Sequence, residues 1–285
     1  MGSAPLISTS ELAAQLADPQ LRVIDCRFDL TQPGWGEAEY QAGRIPGARY
    51  AHLDRDLSDL SQKATRGRHP LPTLTAFSAS LSRLGINRQT RVVVYDQHQG
   101  MYAARLWWLL SACGHPAVQV LDGGYAAWLA AGLPVDSTPA SVQAPTRLPE
   151  ALVLQPGEVV EVDALCSALA AHNILLLDAR AAPRFRGEVE PIDPVAGHVP
   201  GAYNRPFTLN LDAHGRFKPA AVLRAEFDAL LVGRTPSSVV HMCGSGVSAC
   251  HNRLAMDVAG LYGSRIYADS WSGWITDPAR PIATD

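Results

Sequence analysis

The chain repeats itself, and the repeat limits what it can fold into more than any other feature. Val23-Ile24-Asp25-Cys26-Arg27 is echoed by Leu176-Leu177-Asp178-Ala179-Arg180, and Gly43-Arg44-Ile45-Pro46-Gly47-Ala48 by Gly197-His198-Val199-Pro200-Gly201-Ala202. Further on, Arg91-Val92-Val93-Val94-Tyr95-Asp96 lines up with Ser238-Val239-Val240-His241-Met242-Cys243. Leu121-Asp122-Gly123-Gly124-Tyr125 lines up in turn with Tyr267-Ala268-Asp269-Ser270-Trp271. One match would be noise. Four in the same order, spaced by roughly 150 residues each, imply two copies of one domain, because a period this long marks a duplication and not a solenoid. A length of 285 residues is long for one core and comfortable for two. Pro134, Pro139, Pro145, Pro149 and Pro156 stand among Ser, Thr and Ala, a composition that reads as a semi-rigid connector. The expected partition is a first copy at 1–136, a connector at 137–156 and a second copy at 157–285.

Each copy reads as α/β. Short β-branched runs at Arg91 to Tyr95 and Ile174 to Leu177 are too brief for helices and suit buried parallel strands. They alternate with helical patterns: Ser10 to Leu16 after a Ser/Thr cap, and Tyr102 to Ser111, with Gly114 as a C-terminal stop. Ligands of open parallel sheets sit at the C-terminal ends of the strands, where both Cys243 and its counterpart Asp96 fall.

Composition excludes more than it assigns. A net charge of −3 gives no electrostatic reason to expect nucleic acid or an acidic membrane as partner. No apolar run approaches the ~20 residues of a membrane span, and Met1 to Gln20 lacks the pattern of a secretory signal. Cys26, Cys113, Cys166, Cys243 and Cys250 form an odd set without a CxxC pair, so neither a disulfide framework nor a metal site is expected. A reducing cytoplasm is the expected compartment.

The chemistry concentrates at Cys243-Gly244-Ser245-Gly246-Val247-Ser248. Val239 to Met242 before it reads as a buried strand, and Ala249 to Met256 after it as a helix. A cysteine at such a junction is a nucleophile in an anion cradle. The glycines let backbone N–H groups turn inward, the helix N-terminus adds partial positive charge, and both favour thiolate over thiol. Cys250 is expected to pack within the helix. Trp107, Trp108, Trp271 and Trp274 are expected in the core.

With these residues in place, the chain resembles two-domain sulfurtransferases of the rhodanese superfamily over nearly its whole length. The resemblance rests on Asp25-Cys26-Arg27 and Asp178-Ala179-Arg180, the two Gly-x-(Ile/Val)-Pro-Gly-Ala loops, Leu121-Asp122-Gly123-Gly124, Ser270-Trp271-Ser272-Gly273-Trp274 and the Cys243 loop. It implies two tandem rhodanese-like domains, each a parallel sheet flanked by helices, with the nucleophile in the second and an inactive first copy. Asp96 in the cysteine slot fits that pattern. The loop is similar to the Cys-Gly-Ser-Gly-Val-Thr loop of 3-mercaptopyruvate sulfurtransferases, with Ser248 keeping the final hydroxyl. Thiosulfate-preferring relatives usually carry Arg or Lys here, whereas Cys243 to Cys250 contains no basic residue, so a monoanionic donor is expected.

The resemblance implies donor binding by Arg184, with Arg186 or Arg180 as substitutes for a second arginine whose place is taken by Ile192. Arg180 is more readily a structural partner of Asp178. Gly244, Gly246, Val247 and Ser248 would line the cradle. A Ser-His-Asp arrangement is implied at Ser245, His69 and Asp54, although a His beside a Pro is by itself an ordinary loop residue. No metal or organic cofactor is implied. The implied partners are a small sulfur donor and an acceptor: cyanide, a thiol or a thioredoxin-like protein. Thiosulfate:cyanide sulfur transfer and a non-catalytic sulfur-carrier or regulatory module are the alternatives. A Cys-x5-Arg phosphatase is disfavoured because Ala249 stands where its arginine would be.

Overall fold

A computed structural model describes residues 4–139 and 151–284, so that 140–150, within the expected connector, lie outside it. Contacts divide the chain into two compact units. The first comprises Met1–Ser58, Pro72–Gln155 and His214–Arg216; the second comprises Asp59–Leu71, Pro156–Ala213 and Phe217–Asp285. The segment Asp59–Leu71, which the order of the chain assigns to the first copy, therefore belongs to the second unit.

The first unit is built on β1 (Leu6–Ile7), β2 (Leu21–Asp25), β3 (Arg49–Tyr50), β4 (Arg91–Tyr95) and β5 (Val118–Leu121). All pairings are parallel, in the order β1-β5-β4-β2-β3. The second unit has β6 (Leu175–Asp178), β7 (Tyr203–Asn204), β8 (Val239–Met242) and β9 (Arg265–Ile266), also parallel, in the order β7-β6-β8-β9. A parallel bridge from Val159 to Ile266 adds the counterpart of β1. The two sheets therefore share one topology, as the sequence repeat requires. Continuous apolar runs such as Leu175 to Leu177 suit strands covered on both faces.

The repeat extends to side chains. In each unit an arginine two residues past a strand-end aspartate folds back onto it. Arg27 Nε lies 2.9 Å from Asp25 Oδ2, and its Nη2 donates to the Gly43 carbonyl at 2.6 Å. Arg180 Nε lies 2.9 Å from Asp178 Oδ2, and its Nη2 donates to the Gly197 carbonyl at 2.8 Å. Arg27 also stacks over Tyr125, and Arg180 over Trp271. A buried charge persists only when paired and hydrogen-bonded, and these forks join a strand end to the Gly-x-x-Pro-Gly loop. Arg180 is thus part of the scaffold. Trp107, Trp108, Trp271 and Trp274 are all buried, as expected.

Candidate active site

β8 delivers Cys243 to the C-terminal edge of the second sheet, and the chain then turns through Gly244–Val247 into the helix Ser248–Val258. Cys243 is buried, with 2% of its surface exposed. The loop is tied to the helix Ser270–Trp274. Cys243 N donates to Ser270 Oγ at 3.1 Å, and the Cys243 and Gly244 carbonyls accept from the N–H groups of Trp271 and Ser272 at 3.0 and 2.9 Å. Gly246 has φ +74°, and a Cβ built there would lie 2.2 Å from the Ala268 carbonyl oxygen, so only glycine permits this turn.

The first unit shows what such a loop holds. Asp96, in the cysteine slot, is fully buried and accepts four backbone N–H groups. Those of His98 and Gly100 reach Oδ1 at 2.8 and 2.9 Å; those of Tyr102 and Ala103 reach Oδ2 at 2.7 and 2.9 Å. The first copy has filled its anion cradle with its own carboxylate.

The other cysteines lie in unlike surroundings. Burial, with the carboxylates of Asp25, Asp96 and Asp56 added, pushes the Cys26 thiol well above its ordinary range. Burial takes Cys113 up to about 11. Cys250 is fully buried in the helix, its Sγ donating to the Gly246 carbonyl at 3.3 Å. Cys166 is exposed, and all five thiols are free.

Around Cys243 the second unit gathers residues far apart in sequence. His69 is buried, and its Nδ1 is 2.8 Å from Ser245 Oγ, also buried. It arrives on the Asp59–Leu71 segment, whose docking is specific. Arg66 Nε pairs with Asp269 at 3.0 Å, and Arg68 N donates to Ser272 Oγ at 3.0 Å. At Gly67, φ +86°, a Cβ would stand 2.4 Å from Ser272 Oγ.

Arg184, on the short helix Ala182–Phe185, has its Nη2 2.7 Å from Glu190 Oε1 and 3.1 Å from Asp193 Oδ2. Burial alone would raise the Glu190 carboxyl, but the Arg184 guanidinium and the N–H groups of Asp193 and Ile192 outweigh it and hold Glu190 below the usual range. A Cβ built on Gly244 would lie 3.6 Å from Arg184 Nη1 and 2.7 Å from Arg68 Nη2. The loop thus carries no cation of its own but has two guanidinium groups over the residue after the cysteine. Arg68 was not among the residues singled out from sequence; its only signal was its place beside His69.

Arg186 forks onto the exposed Glu188 at 2.7 and 2.9 Å. Asp54 belongs to the first unit, in the first turn of the helix Leu53–Asp56. Val247 is buried, and Ser248 opens the helix. Among the described residues no cluster of His, Cys, Asp and Glu could hold a metal ion, and no helix is long and apolar enough to cross a membrane.

The duplicated parallel sheets and the cysteine loop define a tandem α/β sulfur-transfer scaffold. The chain belongs to the rhodanese family: the rhodanese-like domain model matches residues 8–131 and 161–277. Within it, the relatives fall chiefly to the 3-mercaptopyruvate branch. A Pseudomonas aeruginosa protein provisionally named a 3-mercaptopyruvate sulfurtransferase is 49% identical over 100% of this chain and 99% of its own length. A Mycobacterium tuberculosis protein, SseB, provisionally named a thiosulfate sulfurtransferase, is 39% identical over 97% of this chain and 96% of its own. Among solved structures, the 3-mercaptopyruvate sulfotransferase SseA of Escherichia coli superposes with a TM-score of 0.79 at 30% identity, over 95% of this chain and 100% of its own.

Proposed function

We propose that this enzyme moves a sulfane sulfur from 3-mercaptopyruvate to a thiol or cyanide acceptor through a persulfide on Cys243. The observation that carries this reading is the 2.8 Å contact between His69 Nδ1 and Ser245 Oγ, two residues past the nucleophile. The Cys243 thiolate attacks the donor sulfur. The carbon–sulfur bond breaks with its electron pair going to carbon, leaving an enolate that must gain a proton to become pyruvate. A hydroxyl polarised by a histidine supplies that proton. The loop N–H groups from Gly244 to Ser248 hold the sulfur anion; in the first unit the N–H groups at the positions of Ser245 and Val247, those of His98 and Gly100, hold Asp96 Oδ1. In the second half of the cycle an acceptor thiolate or cyanide takes the outer sulfur and returns Cys243 as thiolate, a ping-pong scheme.

Arg184 is the proposed anchor for the donor carboxylate, with Arg186 as a candidate substitute for the second arginine. Asp54 is proposed as the residue that tunes His69 on the family resemblance alone. Five free thiols suit a reducing compartment such as the cytoplasm, where small thiols and reduced thioredoxin-like proteins are the available acceptors. The test is a side-by-side steady-state assay of 3-mercaptopyruvate and thiosulfate with one common acceptor. A higher kcat/KM for 3-mercaptopyruvate is expected. A higher value for thiosulfate would give the protein the activity named for its mycobacterial relative.

A further inference from the structure

Ile192 occupies the place where the resemblance asks for a second donor-binding arginine, and it is 42% exposed. The structure nevertheless puts two guanidinium groups over Gly244. We propose that Arg68, from the Asp59–Leu71 segment, is the second cation for the donor carboxylate, and that Asp193, bridging Arg68 and Arg184, restricts the pair to a monoanionic donor. The inference rests on the mercaptopyruvate reading of the site.

Three features support it. Arg68 is held independently of its own side chain, by the Arg68 N–H on Ser272, by the close fit of Gly67 and by Arg66 on Asp269. Its guanidinium is already divided in two: Nη1 pairs with Asp193, and Nη2 is turned to Gly244. Arg184 Nη2 pairs with Glu190 and Asp193, while Nη1 and Nη2 lie 3.6 and 3.7 Å from the Cβ position of Gly244. Both guanidinium groups are therefore paired with a buried acid and stand beside the residue after the nucleophile. Arg68 Nε is buried with no hydrogen-bond partner among the described residues, so this guanidinium retains donor capacity.

Charge sets the selectivity. Glu190 and Asp193 already balance Arg68 and Arg184, and Asp178 balances Arg180. A donor with a single carboxylate and a neutral thiol brings one uncompensated negative charge, whereas thiosulfate brings two. In a site screened from water the second is much the harder to accept. A monoanionic donor is thus favoured because two buried acids neutralise the cations there, and not because the site lacks cations.

The test compares 3-mercaptopyruvate, thiosulfate and 1-mercaptopropan-2-one, which has a methyl group in place of the carboxylate. Arg68→Ala should raise KM for 3-mercaptopyruvate by about tenfold or more while changing kcat less, the pattern of a lost charge-assisted contact. The preference for the carboxylated donor over its methyl analogue should shrink by the same factor, which a merely loosened loop would not produce. Ile192→Arg in the Arg68→Ala background should restore much of the lost KM by returning the cation from the other segment. Asp193→Asn should raise kcat/KM for thiosulfate relative to 3-mercaptopyruvate. If the parent enzyme uses 3-mercaptopyruvate but Arg68→Ala leaves its KM and the analogue discrimination unchanged, Arg68 has no part in donor binding and the functional reading stands. An unchanged donor ratio in Asp193→Asn overturns the charge argument. A parent enzyme that does not turn over 3-mercaptopyruvate fails the functional reading itself.

Discussion

Cys243 stands alone among the five cysteines in joining a strand end to a helix start through a Gly-Ser-Gly loop, and the proposed chemistry rests on that difference at the scale of single residues. Brief exposure of the enzyme to 3-mercaptopyruvate should add one sulfur, about 32 Da, to the peptide containing Cys243. Mapping of that mass to Cys26, Cys113 or Cys250 by peptide mass spectrometry would contradict the assignment, and so would turnover by Cys243→Ser. In the proposed mechanism Ser245 and His69 act at a later point, where the enolate takes its proton. Ser245→Ala and His69→Ala should each lower kcat for 3-mercaptopyruvate by about 10²–10⁴-fold. Any thiosulfate activity should largely survive, because sulfite leaves as a stable anion and needs no proton. Equal losses on both donors would indicate a damaged cradle.

At the scale of elements, the strand–loop–helix unit appears twice with different contents, and each copy explains the other. The Asp96 carboxylate is the internal anion that four N–H groups have been arranged to hold. Replacing it with alanine leaves those donors buried and unmade, at about 1–3 kcal/mol for each group that water cannot reach. Asp96→Ala should therefore unfold at clearly lower urea concentration, with a loss on the order of 3 kcal/mol. An unchanged midpoint would mean that the loop relaxes to satisfy its donors elsewhere. Much of this unit was legible in the sequence. The strands over Arg91–Tyr95 and Val239–Met242 fall where the β-branched runs place them. The helix after the cysteine begins at Ser248, one residue before the expected start. These elements were readable because local apolar pattern and glycine placement decide them. Arg68 was not, since no local rule announces that a guanidinium will cross to a loop more than a hundred residues away in sequence.

At the scale of the whole molecule, the repeat announced two sheets of one topology, but not that Asp59–Leu71 would join the second unit. That assignment depends on the tight fit of Gly67 against Ser272 and on the pairing of Arg66 with Asp269, which appear only once the chain is folded. The second unit also carries two titratable groups on neighbouring elements, His241 fully buried and Asp257 partly buried, whose linkage to pH is opposite in sign. His241, on β8, is fully buried; Ser264 Oγ lies 3.0 Å from Nε2, and Nδ1 has no partner among the described residues. Burial, with Arg253 and Arg205 adding to it, pushes His241 down to about 3. Below pH ~6.5 the unfolded chain takes up a proton that the folded unit refuses, so this group costs stability at about 1.4 kcal/mol per pH unit as the solution is acidified. Asp257 behaves the other way. Burial outweighs the Arg253 guanidinium beside it and raises it to about 6, so between pH 6 and its ordinary value of 3.8 the folded unit takes up the proton first and gains stability. Urea unfolding of the parent, His241→Gln and Asp257→Asn between pH 7 and pH 4 separates the two. His241→Gln should gain on the parent steadily below pH ~6.5, and Asp257→Asn should lose ground to it below about pH 6. Parallel curves for all three proteins would show that neither group changes its protonation on unfolding.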